Sequence, residues 1–441
     1  MMEILIYTPT LTPRIQYIFD YIFADYLQIA YNLTTSYEIF QAFDGAKFAY
    51  STEPVKGAAW IWQHPLLLEN NVRSQNILLF KHQDLPAFFG TDNVRSLIPF
   101  DMFAASFYLM TRYEEYLSPE RKDRFGRYQA KYSLAVKGDF LQKPLVNCWI
   151  MAFMEKWLPG RDFKEFSART FTYIPTYDID NAYQFRHKGF VVNAAGMIKD
   201  LLRGRFRLFK DRIGTLLRLQ RDAYDNYGFI FMLNKRFKLH PYFFILCAEK
   251  RGKYDRNLSL TNKAFRRLLF LLKQNGTVGL HPSFASGKDL SKITAEKKSL
   301  ELVLKTSLKY SRQHYLLIHL PETYRALHEA GLQCDFTMGY ASRVGFRASV
   351  CTSFRFFDLL RNEATDFRIQ PLVYMDGTFN DYMQLSRKES EREIIKLIDE
   401  VKAVNGEFVS LWHNSSLAGK GHWRGWKAIY YNTLEYAFRD L

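Results

Sequence analysis

The sequence predicts an α/β protein: a distorted (β/α) barrel of seven or eight strands in the C-terminal part, preceded by a smaller mixed α/β domain. Three observations predict it. From about residue 160 onward, short apolar runs of strand length alternate with helix-length amphipathic segments over about 280 residues, the grammar of a parallel sheet covered by helices. The preceding residues lack that alternation and mix short strands with helices. The chain has 441 residues, 48% of them hydrophobic, which is long for one domain, comfortable for two, and enough for a large core.

Ile4–Tyr7 opens the chain as a strand, a short apolar run ended by Pro9 and unlike the apolar region of a secretory leader. Arg14–Tyr31 has apolar residues at helical spacing, and Ile77–Phe80 reads as a short strand. Pro99–Met110 reads as a buried helix; Leu97–Met110 is interrupted by Asp101 and too short to span a bilayer. The helix continues into Thr111–Leu117, where Arg112 can meet Glu115 and Tyr116 one turn on. The favoured reading there is a helix end tied by ion pairs at a domain interface; the other makes Arg112, Glu114 and Glu115 part of a site. Pro159-Gly160, within Lys156–Phe163, marks the boundary, giving an N-terminal domain over 1–160 and a barrel over 165–441.

Beyond it the predicted strands are Phe171–Tyr177, Tyr242–Cys247, Thr277–Leu280, His314–Leu317, Asp335–Met338, Gly345–Ala348, Pro371–Met375 and Phe408–Trp412. The predicted helices are Asn262–Gln274, Thr294–Tyr310, Glu322–Ala330, Phe354–Leu360 and Glu389–Ala403. Pro321 and Gly331 are start and stop signals for the third of these. A long basic insertion, at about 185–235, separates the first two strands and exceeds what a simple barrel needs.

The formal charge is +16, and much of the excess lies in Lys199–Arg221, whose apolar residues recur at mostly helical spacing. Its readings are a solvated helix with its charges outward, or a basic amphipathic face for an anionic membrane surface or an acidic glycan. Nucleic acid is a poor partner: there is no zinc-finger spacing, RNP-like box or heptad-linked basic region. Cys148, Cys247, Cys334 and Cys351 are scattered, without metal-ligand or disulfide spacing. Buried thiols and a cytoplasmic setting are expected, peripheral to the inner membrane where the basic segment engages it.

Active sites of such barrels lie at the C-terminal ends of the strands. The first strand ends in Thr176-Tyr177-Asp178-Ile179-Asp180, with Asp178 and Asp180 on one face. Two like charges so close call for a cation between or beside them; taken alone, the pair reads equally as a solvated strand end or a helix N-cap. Later strand regions bring His281, Arg312 and His314, Arg347, Asp376 and His413. A carboxylate pair, several histidines and arginines at strand ends of one half of the chain point to a metal site.

On these residues, 170–441 resembles a divergent polysaccharide deacetylase of the NodB-homology, carbohydrate esterase family 4 type. Thr176–Asp180 matches an Asp-x-Asp variant of that family's Thr-Phe-Asp-Asp motif, His281 its strand-end histidine, and Leu411-Trp412-His413 its C-terminal Leu-x-His. The N-terminal half, with Arg112-Tyr113-Glu114-Glu115-Tyr116, resembles the uncharacterised domain that precedes such deacetylases in many bacterial proteins. The resemblance implies a metal-dependent hydrolase of carbon–nitrogen bonds that removes N-acetyl (or O-acetyl) groups from a bacterial glycan or glycan precursor.

It implies a divalent metal, zinc by preference, held by Asp180 and two histidines. Asp178 is then the general base and His413 the general acid, with Arg312 or Arg347 orienting Asp178 and Asp376 fixing a histidine tautomer. One departure matters. The family's second histidine falls at Ala285, and His314 is the replacement chosen, ahead of His187 and His240, which lie in or beside the insertion. Trp412, Trp423, Trp426, Tyr430 and Tyr431 are candidates for sugar stacking, with core packing as the equal reading. The alternatives are a weakened or inactive glycan-binding protein on the same scaffold, a membrane-surface glycan-assembly factor, and a different metal-dependent amide or ester hydrolysis on the same barrel.

Overall fold

A computed structural model describes residues 3–161 and 167–439. Residues 162 and 163 of the expected boundary, and residue 165, where the second domain was expected to begin, lie outside the described residues. The N-terminal part is built on a four-stranded parallel sheet, β1 (Glu3–Tyr7), β2 (Ala30–Thr34), β3 (Ala46–Ser51) and β4 (Ala59–Trp62), in the order β2-β1-β3-β4. A small antiparallel pair, β5 (Phe80–His82) and β6 (Leu85–Ala87), follows. The expected buried helix is Met102–Met110, every residue of it buried, with Asp101 capping the Ala104 amide. It stops because Arg112 takes a left-handed conformation, φ 57°, before the short helix Tyr113–Leu117.

The C-terminal part is a nine-stranded sheet in the order β12-β13-β11-β10-β9-β8-β7-β15-β14. Its strands are β7 (Thr172–Ile179), β8 (Tyr242–Leu246), β9 (Thr277–His281), β10 (Tyr310–Ser311), β11 (Cys334–Asp335), β12 (Phe354–Asp358), β13 (Glu363–Ile369), β14 (Tyr374–Met375) and β15 (Glu407–His413). All neighbours pair in parallel except β12, which runs antiparallel to β13 at one edge. Eight parallel strands therefore realise the expected α/β barrel architecture as a curled half-barrel.

The curl is visible in the packing. Phe244 of β8, Val409 and Leu411 of β15, and Leu316 and Phe336 from the segments beyond β10 and β11 form one small cluster on the concave side. Along β7 the period-two rule is obeyed: Tyr173, Tyr177 and Ile179 enter the large core, while Ile174 joins the concave cluster. That leaves Thr176 and Asp178 on the concave side.

Several local expectations change. Phe354–Leu360 is not a helix: Phe354 and Phe356 alternate with Arg355, and the segment pairs with β13, a strand the sequence did not announce. His314–Leu317 is not a strand; His314–Leu316 form a tight 3₁₀ turn, with Tyr315 at φ 62°. Gly345–Ala348 has no ladder, because Gly345 sits at φ 121° with Leu141 so close that a Cβ would stand 2.3 Å from its carbonyl oxygen. The insertion holds three helices, Phe190–Leu202, Phe206–Leu216 and Tyr227–Arg236. All four cysteines are free thiols, Cys247 and Cys351 buried and the others half-buried.

The two parts share one apolar core. Tyr17 and Tyr26 donate their hydroxyls to the backbone carbonyls of Arg355 and Val404 across it. Among the described residues no helix is long and apolar enough to cross a membrane.

Candidate functional site

The C-terminal ends of β7, β9, β10, β14 and β15 surround a cavity of about 310 Å³. Parallel pairing is what brings them there: it places His413 directly beside Asp178, and Leu280, the residue before His281, beside Ser311. Strand ends of one parallel sheet share an edge, so residues far apart in sequence meet.

Asp180, His281 and His314 meet in this cavity, each offering a ligand atom within 4.8 Å of the others. The Nε2 of His281 stands 3.3 Å from Asp180 Oδ1, and the Nε2 of His314 stands 3.6 Å from Asp180 Oδ2. Both rings are held from behind. His281 Nδ1–H donates to the Arg312 carbonyl at 2.5 Å, and His314 Nδ1–H to Asp255 Oδ1 at 2.9 Å. That fixes the tautomer with Nε2 toward Asp180.

Asp180 Oδ1 is buried without a hydrogen-bond partner. A buried carboxylate oxygen left without a donor is costly unless a cation meets it, so the donor set fits a divalent metal. Burial pushes the Asp180 carboxyl up, but the His314, His281 and His413 rings outweigh it and hold it well below the usual range. Burial pushes His314 down, yet Asp180 and Asp255 raise it to about 9.

Asp178 stands beside this group, its Oδ2 3.7 Å from His281 Nε2. Its Oδ1 accepts from Arg312 Nη1 at 3.0 Å. Arg312 is fully buried over the Phe244 ring; its Nη1 also donates to Thr176 Oγ1 and its Nε to the Phe336 carbonyl. Thr176 in turn donates to the Ser410 carbonyl of β15, so the threonine of the motif anchors the arginine that anchors the aspartate. His413 donates Nδ1–H to Asp376 Oδ1 at 2.8 Å, and its Nε2 lies 3.7 Å from Asp180 Oδ2. Asp376 Oδ2 also accepts the His413 amide at 2.7 Å. Burial pushes His413 down, but Asp376, then Asp180 and Asp178, raise it to about 10.

Of the residues singled out from sequence, Asp178, Asp180, His281, His314, Asp376 and His413 line this cavity, and Arg312 supports it from beneath. Arg347 does not. It donates Nη2 and Nε to Glu115, at 2.7 and 3.0 Å, and lies over the Tyr340 ring. Arg112 binds the same Glu115 at 2.9 Å and the Tyr340 hydroxyl. This buried knot joins the N-terminal part to the barrel, so Arg347 is a tie between the two and Arg312 alone orients Asp178. Of the five aromatics considered for sugar stacking, Trp423 lines the cavity, whereas Trp412, Trp426 and Tyr430 are core.

Four contributors were not anticipated. Asp255, in the loop after β8, orients His314 and also accepts the backbone amides of Phe284 and Ala285. Its only sequence signal is a position beyond a strand end. Tyr315 and Tyr382 add aromatic walls. Arg127, from the N-terminal part, also lines the cavity and donates Nη1 to the Tyr315 carbonyl and the Tyr382 hydroxyl, each at 3.2 Å.

Residues 4–158 match a family described as of unknown function, DUF7033. No curated protein sequence matches the chain. Among solved structures, a protein of Mycobacterium smegmatis assigned as a polysaccharide deacetylase aligns at 12% identity and TM-score 0.39, covering 61% of this chain and 85% of its own. The polysaccharide deacetylase Bc1974 from Bacillus cereus aligns at 11% identity and TM-score 0.29, covering 60% and 86%. IcaB from Ammonifex degensii aligns at 14% identity and TM-score 0.23, covering 39% and 85%.

Proposed function

We propose that the chain is a metal-dependent hydrolase that releases acetate from an N- or O-acetylated glycan in the cavity around Asp180. One observation carries this reading: Asp180, His281 and His314 offer ligand atoms within 4.8 Å of one another, and the Asp180 oxygen nearest His281 is buried without a hydrogen-bond partner. One carboxylate and two imidazoles form the protein ligand set of a catalytic zinc site with an open position. Bound there, a divalent metal supplies a Lewis acid for the acetyl carbonyl and lowers the pKa of the attacking water.

The remaining roles fall to the chain's own groups. Asp255 and the Arg312 carbonyl hold the two rings with Nε2 forward. Asp178, paired with and aimed by Arg312, takes the proton of the attacking water. His413, kept protonated by Asp376, returns a proton to the departing nitrogen or oxygen. An amide needs that second step because an amine anion is a very poor leaving group. Trp423, Tyr315 and Tyr382 offer flat apolar faces suited to a sugar ring.

The test pairs zinc content with acetate release from N-acetylated oligosaccharides. Wild type should hold one zinc and release acetate, and Asp180→Ala and His281→Ala should lose both. Asp180→Ala with undiminished zinc, or a zinc-loaded wild type that releases no acetate from amide or ester substrates, contradicts the proposal.

A further inference from the structure

The helical hairpin that follows Asp180 is built inside out. Asn193 and Asp200 on Phe190–Leu202, and Arg212 and Thr215 on Phe206–Leu216, are the buried side chains. Arg212 donates Nε and Nη2 to Asp200 Oδ2 at 3.1 and 2.8 Å, and Nη1 to Asn193 Oδ1 at 3.1 Å. This polar seam is tight: a Cβ at Gly196 would stand 2.6 Å from Arg212 Cζ.

Seven of the apolar side chains face outward instead, while Met197, Leu208, Phe209, Ile213 and Leu216 are half-buried. Phe190 is 84% exposed and Leu202 83%, with Val191, Ile198, Leu201 and Phe206 exposed beside them. At 3.6 residues per turn, positions 190, 191, 198, 201 and 202 fall within about a third of the helix circumference. A helix that packs on its own domain shows the reverse pattern, and a contiguous exposed apolar face marks an interaction site.

Charge selects the occupant. Lys199, Arg203, Arg205, Arg207, Lys210 and Arg218 project from the same hairpin and are exposed. Its two acids are already paired, Asp200 with Arg212 and Asp211 with Lys420. A second copy would bring the same positive charge to the contact and repel. An apolar face bordered by unopposed lysines and arginines instead matches the boundary of an anionic bilayer, where the apolar groups enter the acyl region and the cations meet lipid phosphates.

We propose that this hairpin seats the protein on an anionic membrane surface with the rim of the Asp180 cavity beside it. The hairpin leaves the sheet just after Asp180. Lys420, in the loop after His413, binds Asp211 Oδ1 at 3.2 Å and Gln220 Oε1 at 3.3 Å, tying hairpin to loop. The same loop places His422 and Trp423 on the cavity wall. Combined with the deacetylase reading, on which this last step rests, the substrate class is an acetylated glycan held at the membrane surface.

Co-sedimentation of the full chain with phosphatidylcholine vesicles, with and without one-third phosphatidylglycerol, tests the seating. The chain should bind the anionic vesicles at least tenfold more tightly. Arg205→Gln with Arg207→Gln should weaken binding about fivefold per charge, and Leu202→Ser with Phe206→Ser roughly tenfold or more. All four side chains are exposed, so the variants should keep the wild-type melting temperature. Equal binding to both vesicles, or variants that bind like wild type, overturns the inference. So does a stable wild-type dimer that does not bind vesicles and that the Leu202/Phe206 change converts to monomer, because the face then belongs to a second copy. Acetate release from a soluble oligosaccharide separates the two readings. Turnover kept while vesicle binding is lost in the variants supports the seating, and vesicle binding without turnover in wild type supports the seating while contradicting only the deacetylase.

Discussion

Asp178 and Asp180 lie two residues apart and meet different neighbours: Asp178 an arginine at 3.0 Å and one imidazole at 3.7 Å, Asp180 three imidazoles. In the proposed mechanism that difference divides their work. Asp178→Asn should lower turnover ~10²–10⁴-fold while zinc content stays at wild type, measured by steady-state kinetics and metal analysis of one preparation. Asp255→Ala removes the acceptor behind His314 and should weaken zinc binding about 10–100-fold, read by competition with a chromogenic chelator. The pH dependence has a defined sign. In the metal-free chain His314 is raised from 6.5 to about 9 by Asp180 and Asp255 against its burial. Its stabilising contribution is therefore fully present below about pH 6.5 and lost as pH rises to about 9. Zinc must displace that proton, so zinc affinity should rise by up to about tenfold per pH unit across the same window, while the metal-free melting temperature falls. Asp180, His281 and His413 were legible because strand ends and motif order announced them. Asp255 was not, since nothing in its loop marks which side chain will turn inward. Arg347 misled because a sequence lists arginines without their carboxylates, and its partner Glu115 lies 232 positions away.

At the scale of elements, β7 and β15, long strands bounded by turn residues, were placed closely. β11 and β14 span only two residues each and fall at or within the longer expected runs Asp335–Met338 and Pro371–Met375, whereas the two-residue β10 falls at the end of an expected helix. Phe354–Asp358 shows how tertiary pairing decides an ambiguous aromatic run. The helix end at Arg112 matches the ion-paired interface expected of it. There Glu115 is buried between Arg112 and Arg347, and burial pushes its carboxyl up while the two guanidinium groups outweigh it and hold it below its usual value. Glu115→Gln leaves the buried Arg347 guanidinium without its counter-charge and Arg112 with Glu114 alone, and should cost about 3–5 kcal/mol, measured by urea unfolding. A loss under about 1 kcal/mol would mean that water reaches the knot.

At the scale of the whole molecule, the N-terminal part does more than precede the barrel. Arg127, paired with Asp123, reaches across to the Tyr315 carbonyl beside His314 and to the Tyr382 hydroxyl. It thereby braces the turn that carries a proposed ligand. Arg127→Ala should weaken zinc binding by roughly tenfold, in the range of other supporting contacts, with Arg127→Lys restoring part of it; equal affinity in all three proteins would reduce Arg127 to a wall. A smaller α/β part ahead of the barrel was legible from the change of grammar, but this crossing contact was not, because it depends on how the parts dock. Everything proposed for the cavity turns on the metal centre, and anomalous diffraction at the zinc edge from crystals grown with zinc locates it. A single peak should lie about 2.0–2.2 Å from an Asp180 oxygen and from Nε2 of both His281 and His314. No peak in the cavity, or a peak bonded without His314, would contradict it.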